Sequence, residues 1–116
     1  MALSKRNTSL IQGNLQSIIL KLLQDKSKMY AYEIIQTVKK MTNGKIEITE
    51  GALYPLLHRL EENKTLEVEI RSIGNRSRKY YKLTKKGILE TKEQLSELQE
   101  FMEIMQVFFN SKIKPI

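Results

Sequence analysis

The chain contains no cysteine. That excludes disulfides, a thiolate nucleophile and thiolate-bound zinc or iron–sulfur sites, and it fits a reducing compartment. Tryptophan is absent too, and histidine occurs once, at His58. A lone imidazole without a thiol partner builds neither a metal site nor a catalytic relay. No phosphate loop and no recognisable carboxylate cluster is present, so an enzyme is not expected and no cofactor is implied. Nowhere do about 18 apolar residues run together, the length a membrane-spanning helix needs. Met1 to Asn7 carries two cations but leads into no apolar h-region or small-residue cleavage site. These absences predict a cytoplasmic protein.

What is present is positive charge, unevenly spread. The 116 residues carry a formal net charge of +7, a length that suits one unit with a modest core. From Arg71 to Gly87 there are seven cations (Arg71, Arg76, Arg78, Lys79, Lys82, Lys85, Lys86) and no acid. From Ile88 to Asn110 five glutamates face Lys92 alone. A local positive field of this kind favours a polyanionic partner, nucleic acid first and an anionic membrane second.

Hydrophobic spacing divides the chain into elements. Leu10, Ile11, Leu15, Ile18, Ile19, Leu22 and Leu23 predict one amphipathic helix from about Thr8 to Gln24. Ala31, Ile34, Ile35, Val38 and Met41 predict a second, closed by Asn43-Gly44. Lys45 to Ile48 alternates apolar with charged residues, the pattern of a minor strand. Thr49 is placed to cap a third helix reaching about Asn63, with Leu53, Leu56, Leu57 and Leu60 on one face. Pro55 falls late for a first-turn proline, so either the helix is locally weak there or it starts a residue or two later.

Leu66, Val68 and Ile70 alternate with Glu67, Glu69 and Arg71, a strand with one covered face. A turn over Ile73 to Ser77 and a second strand over Arg78 to Leu83 complete a hairpin with a basic tip, Tyr81 inward and Tyr80 outward. Thr84 is placed to cap a last helix to about Asn110. Its apolar positions Ile88, Leu95, Leu98, Met102, Met105 and Phe109, with Thr91 in the remaining slot, step three and four like a coiled-coil seam. A helix of that length outruns what a three-helix core covers, so the seam predicts a dimer.

The fold class is therefore mainly α with a small β-hairpin: a winged helix-turn-helix over residues 1–86 and a C-terminal dimerisation helix and tail over 87–116. In such a plan the third helix enters the major groove and the hairpin lies against the backbone or the minor groove.

Two stretches carry a family resemblance. Thr49-Glu50-Gly51-Ala52-Leu53-Tyr54-Pro55-Leu56-Leu57-His58-Arg59-Leu60-Glu61 resembles the recognition-helix signature of PadR-family transcriptional regulators. Arg78-Lys79-Tyr80-Tyr81-Lys82-Leu83-Thr84-Lys85-Lys86-Gly87 resembles that family's second wing strand and the turn into its last helix, and Tyr32-Glu33-Ile34 the start of its second helix. The resemblance implies a homodimeric repressor of pseudo-palindromic operators in double-stranded DNA, often released by a small molecule. It also implies a dimer made by the last helix against the partner's first helix, which brings in Leu15. The length resembles the subgroup with a single C-terminal helix.

The candidate DNA surface follows. Thr49, Glu50, Gly51, Tyr54, Pro55 and His58 lie off the leucine face. The family pattern sets Tyr54 at the DNA backbone, and Gly51 lets a backbone approach closely. Arg59 has two options: phosphate, or an ion pair with Glu62 or Glu33. Arg76, Arg78 and Lys79 are the phosphate candidates of the wing, Lys82 and Lys85 lesser ones, and Lys5 and Arg6 a basic arm. For an effector, the resemblance places Leu98 where some members carry a ligand-stacking tryptophan, a departure from that pattern. Phe101, Met102, Met105 and Phe108 remain as the lining of an apolar or aromatic pocket, against plain core packing. The alternative function is a winged-helix adaptor that binds protein rather than DNA; an acid-free basic wing is what such an adaptor has no need to keep.

Overall fold

The computed structural model describes residues 8–115. Lys5 and Arg6 lie outside the described residues. Seven elements follow in order: α1 (Thr8–Gly13), α2 (Leu15–Asp25), α3 (Ala31–Met41), α4 (Glu50–Glu62), β1 (Leu66–Ile73), β2 (Arg76–Leu83) and α5 (Lys85–Asn110).

The single first helix expected from the spacing is two helices. Gly13 is a poor helix former, and the Asn14 side chain turns back to donate from Nδ2 to the Leu10 carbonyl at 2.8 Å. Asn14 leaves helical geometry at φ −113°, ψ 5°. Only α2 then points its apolar face inward, and Leu10 is exposed. The core gathers Ile19, Leu20 and Leu23 from α2, Ile34 and Val38 from α3, and the leucine face Leu53, Leu56, Leu57 and Leu60 of α4, closed by Leu66 and Tyr81 from the hairpin. Burial raises the Tyr81 phenol above its ordinary value of 10.0, with Glu61 and Tyr54 pushing the same way, so its hydroxyl stays neutral.

The minor strand expected over Lys45 to Ile48 does not form. The Thr42 hydroxyl captures the Ile46 N–H at 3.1 Å, and Ile48 drops into the core. The edge of β2 pairs instead with Met29, which exchanges backbone hydrogen bonds with Tyr81 at 2.8 and 3.1 Å. Asn43 and Gly44 both take positive φ, at 53° and 77°, and end α3 as the sequence predicts.

The hairpin is tighter than expected. β1 and β2 pair from Leu66↔Leu83 to Ile73↔Arg76, leaving Gly74 and Asn75 as a two-residue loop. Gly74 has φ 60° in the first loop position, the conformation of a hairpin turn that keeps the strand twist.

α5 starts where expected. The Thr84 hydroxyl accepts from the Gly87 N–H at 2.9 Å. Its first turns dock on α2 and on Thr65, whose hydroxyl donates to Glu90 Oε1 at 3.1 Å. Beyond Met105 every described residue is exposed, Phe108 and Phe109 included.

Candidate nucleic-acid interface

α4 builds the first half of the surface. Thr49 caps it, its hydroxyl accepting from Ala52 N–H at 3.2 Å, so the helix begins at Glu50 and runs through Pro55 rather than starting later. Pro55 has no N–H for the Gly51 carbonyl, which frees an acceptor in the first turn. With the leucines turned in, Glu50, Gly51, Tyr54, Pro55, His58 and Arg59 form one exposed face. A methyl group on Gly51 would meet nothing within 4 Å, and its φ is not in the left-handed region. Nothing inside the chain requires glycine there.

Two side chains on this face have partners the sequence left open. His58 Nε2 lies 2.8 Å from Glu62 Oε1, one turn on. Arg59 pairs with neither Glu62 nor Glu33: Glu62 is beside His58, and Glu33 is taken by Lys26. Arg59 Nη2 donates instead to Gln16 Oε1 on α2 at 3.4 Å. A cleft of about 410 Å³ runs between the α1–α2 turn and this face, lined by Gln12, Gly13, Gln16, Gly51, Pro55 and Arg59.

The wing is the second half, and its register sorts the cations. Residues of one face are Arg71, Arg76 and Arg78; Lys79 is opposite Ile70 on the other face, so the three wing candidates do not sit together. Arg71 and Arg78 are direct cross-strand neighbours, a like-charge pairing that costs stability unless each cation has other company. Each has it. The Arg78 guanidinium lies over the Tyr30 ring, 4.3 Å from its centroid, and Arg71 over Tyr80 at 5.5 Å. Tyr30 and Tyr80 meet edge to face at 5.6 Å. Arg71 Nε also donates to Glu69 Oε2 at 2.9 Å, and Lys28 Nζ to the same oxygen at 2.8 Å. These two hydrogen bonds, that from Lys28 first, hold the Glu69 carboxyl below the ordinary carboxylate range.

So the wing is not free of acid at its base: Glu67 reaches Lys82 at 3.5 Å. Arg76 and Lys79, nearer the tip, are exposed and belong to no ion pair among the described residues. Tyr30 is the residue that sequence reasoning missed; Arg71 is counted among the cations but is not named as a candidate site residue. The Met29–Tyr81 bridge sets Tyr30 beside Tyr80, and no local pattern announces a pairing across that separation.

The seam residues are divided by α5's reach past the body. Leu15 is 4% exposed and lies in the core, so it offers almost no surface to a partner. Leu95, Leu98 and Met105 are half-buried, while Ile88, Met102 and Phe109 are exposed. A groove of about 420 Å³ between α2 and α5 is lined by Ser17, Ile18, Lys21, Leu95, Leu98 and Met102. Phe101 and Phe108, expected as lining of an apolar pocket, face outward from α5 instead.

No helix among the described residues is long and apolar enough to cross a membrane. The family model of PadR-like transcriptional regulators matches residues 19–93. An uncharacterised protein of Lysinibacillus sphaericus is 35% identical over 102 residues, 87% of this chain and 93% of the relative. Among solved structures, a transcriptional regulator from Clostridium thermocellum superposes with a TM-score of 0.76 at 29% identity, covering 86% of this chain and 97% of that one. A PadR-like transcription factor from Bacteroides fragilis does so with a TM-score of 0.71 at 33% identity, over 90% and 99%. The matched segment takes in α3, α4 and the whole wing, with most of α2 and the docked start of α5: this chain belongs to the PadR-like family of transcriptional regulators and is not an enzyme.

Proposed function

We propose that the chain is a sequence-specific DNA-binding repressor that acts as a homodimer. Residues 1–86 supply the DNA surface and 87–116 the dimerisation helix. α4 enters the major groove with Glu50, Gly51, Tyr54, Pro55 and His58 toward the bases and their flanking phosphates, and Arg59 with Arg76, Arg78 and Lys79 neutralises phosphate. The observation that carries this reading is Gly51: an exposed glycine in a helix, with open space where its side chain would be, is explained by a backbone that approaches from outside. Arg78 of the wing supports it, because the Tyr30 ring holds its positive charge at a fixed place without neutralising it, whereas Arg71 is paired with Glu69.

The exposed apolar residues of α5 from Phe101 to Phe109 support the dimer. The α2–α5 groove, apolar and beside that helix, is where a small apolar or aromatic effector fits best, and its occupancy would release DNA.

Selection of duplexes from a random pool tests the reading. A two-fold-related consensus is the expected outcome, with affinity falling linearly in log salt, by roughly 0.9 per phosphate neutralised. Recovery of no sequence preference, or a flat salt response, sinks it.

A further inference from the structure

Gln16 joins the two helices to which the proposed function gives different work. Its Nε2 donates to Gln94 Oε1 on α5 at 3.1 Å, and its Oε1 accepts from Arg59 Nη2 on α4 at 3.4 Å. A carboxamide has one acceptor end and one donor end in a plane, so the two bonds specify the same orientation. Turned over, the amide would present its donors to a guanidinium that cannot accept, and the bond to Arg59 would be lost; the bond to Gln94 would survive only if that carboxamide turned over as well. Gln16 and Gln94 are half-buried, which limits how far water replaces the bond between them, while the bond to Arg59 faces solvent.

Arg59 has the complementary property. It is exposed and has no carboxylate partner among the described residues; Gln16 is its one side-chain hydrogen-bond partner there. One Nη2 hydrogen is committed, and the rest of the planar fork remains free for a phosphate.

We infer that Gln16 is a positioning residue through which α5 sets the orientation of Arg59, so that moving α5 against α2 changes DNA affinity. This rests on the DNA-binding reading. The source of such movement is adjacent: the residue after Gln94 is Leu95, which with Ser17 and Ile18 lines the α2–α5 groove. An occupant that wedges the groove pulls Gln94 from Gln16, frees the amide to turn, and leaves Arg59 without its acceptor. α4 need not shift for the loss to be felt.

The test uses full-length protein and the duplex recovered by random selection. Gln94→Met keeps the side-chain volume and removes the acceptor; Gln94→Glu keeps an acceptor. Gln16→Leu removes the relay from its centre. Gln94→Met and Gln16→Leu are expected to weaken binding about threefold to tenfold, the range of one ordinary hydrogen bond. Gln94→Glu is expected to bind like the parent. In an Arg59→Ala background neither relay variant should cost anything more. In the DNA-free protein, the Arg59 Nε resonance should gain mobility in Gln94→Met while the melting temperature stays near that of the parent. Unchanged affinity and unchanged Arg59 mobility in Gln94→Met overturn the relay alone, and so does a loss that persists in the Arg59→Ala background. If the parent chain binds no duplex, the DNA reading itself falls and takes the relay with it.

Discussion

A Cβ built on Gly87 would stand 2.0 Å from the backbone carbonyl oxygen of Thr65. The first turn of α5 therefore lies directly against the residue that opens the wing, and only a hydrogen at that position allows the approach. Thr84 ties the same corner, its N–H donating to the Thr65 carbonyl at 3.1 Å. Gly87→Ala has to push backbone from backbone. The expected cost is about 3 kcal/mol, the upper end for overpacking, read as a lower melting temperature.

Thr91 sits one turn further along, fully buried, and its hydroxyl has no hydrogen-bond partner among the described residues. An unsatisfied buried hydroxyl costs about 1–3 kcal/mol. Thr91→Val keeps the shape and deletes the group, so stabilisation by about 1 kcal/mol is expected in denaturant melts. A destabilised Thr91→Val would mean that the hydroxyl is satisfied after all.

Gly51 separates folding from binding. Gly51→Ala adds a methyl into open space on an exposed helical face, and is expected to stabilise the chain by roughly 0.5–1 kcal/mol. DNA affinity should fall nonetheless, because the methyl occupies the space a DNA strand would use. Equal or better binding by the more stable variant counts against the α4 face as the reading surface.

Arg76→Ala and Lys79→Ala remove wing cations that have no ion pair to break. Each should weaken random and selected duplexes alike and reduce the log–log salt slope by about 1. Tyr30→Leu leaves every charge in place but takes the platform from under Arg78, worth about 0.5–1 kcal/mol at an exposed site. Its binding loss should vanish when Arg78 is already alanine.

The Glu69 carboxyl has a lowered pKa in the folded chain, chiefly through the Lys28 hydrogen bond and then that of Arg71. A depressed carboxylate stabilises above its unfolded value, near 4.5, and that stability is lost as pH falls through the lower folded value. Glu69→Gln should therefore be less stable than the parent at neutral pH, with the gap closing below about pH 4.5. A gap that does not change with pH refutes the role of these hydrogen bonds. The pair is solvent-facing, so the effect is small.

The sequence by itself determined what depends on neighbours a few residues apart. The leucine spacing of α4 and its Thr49 cap, the alternation of β1, the Asn43-Gly44 stop and the Thr84 start of α5 are each set within a turn or two of helix, or within a strand, and each is read from residue type. The outward face of α4 follows, because turning leucines inward leaves Gly51, Tyr54 and His58 no other side. The family was legible for the same reason: its marks are contiguous stretches.

What only the tertiary structure decided depends on pairs far apart in the chain. Met29 rather than Lys45 to Ile48 completes the sheet edge, since the Ile46 N–H is taken by the Thr42 hydroxyl while Met29 exchanges backbone bonds with Tyr81. Arg59 turns to Gln16, Arg78 lies on Tyr30, and Lys79 parts from Arg76 by the alternation of a register that Gly74 and Asn75 set. Leu15, which the resemblance brought into the seam, lies in the core because it shares the inward stripe of α2 with Ile19 and Leu22. Hydrophobic period reports which way a residue points along its own element. Which distant polar group it meets is a property of packing, and the basic wing acquires its fixed arginines only there.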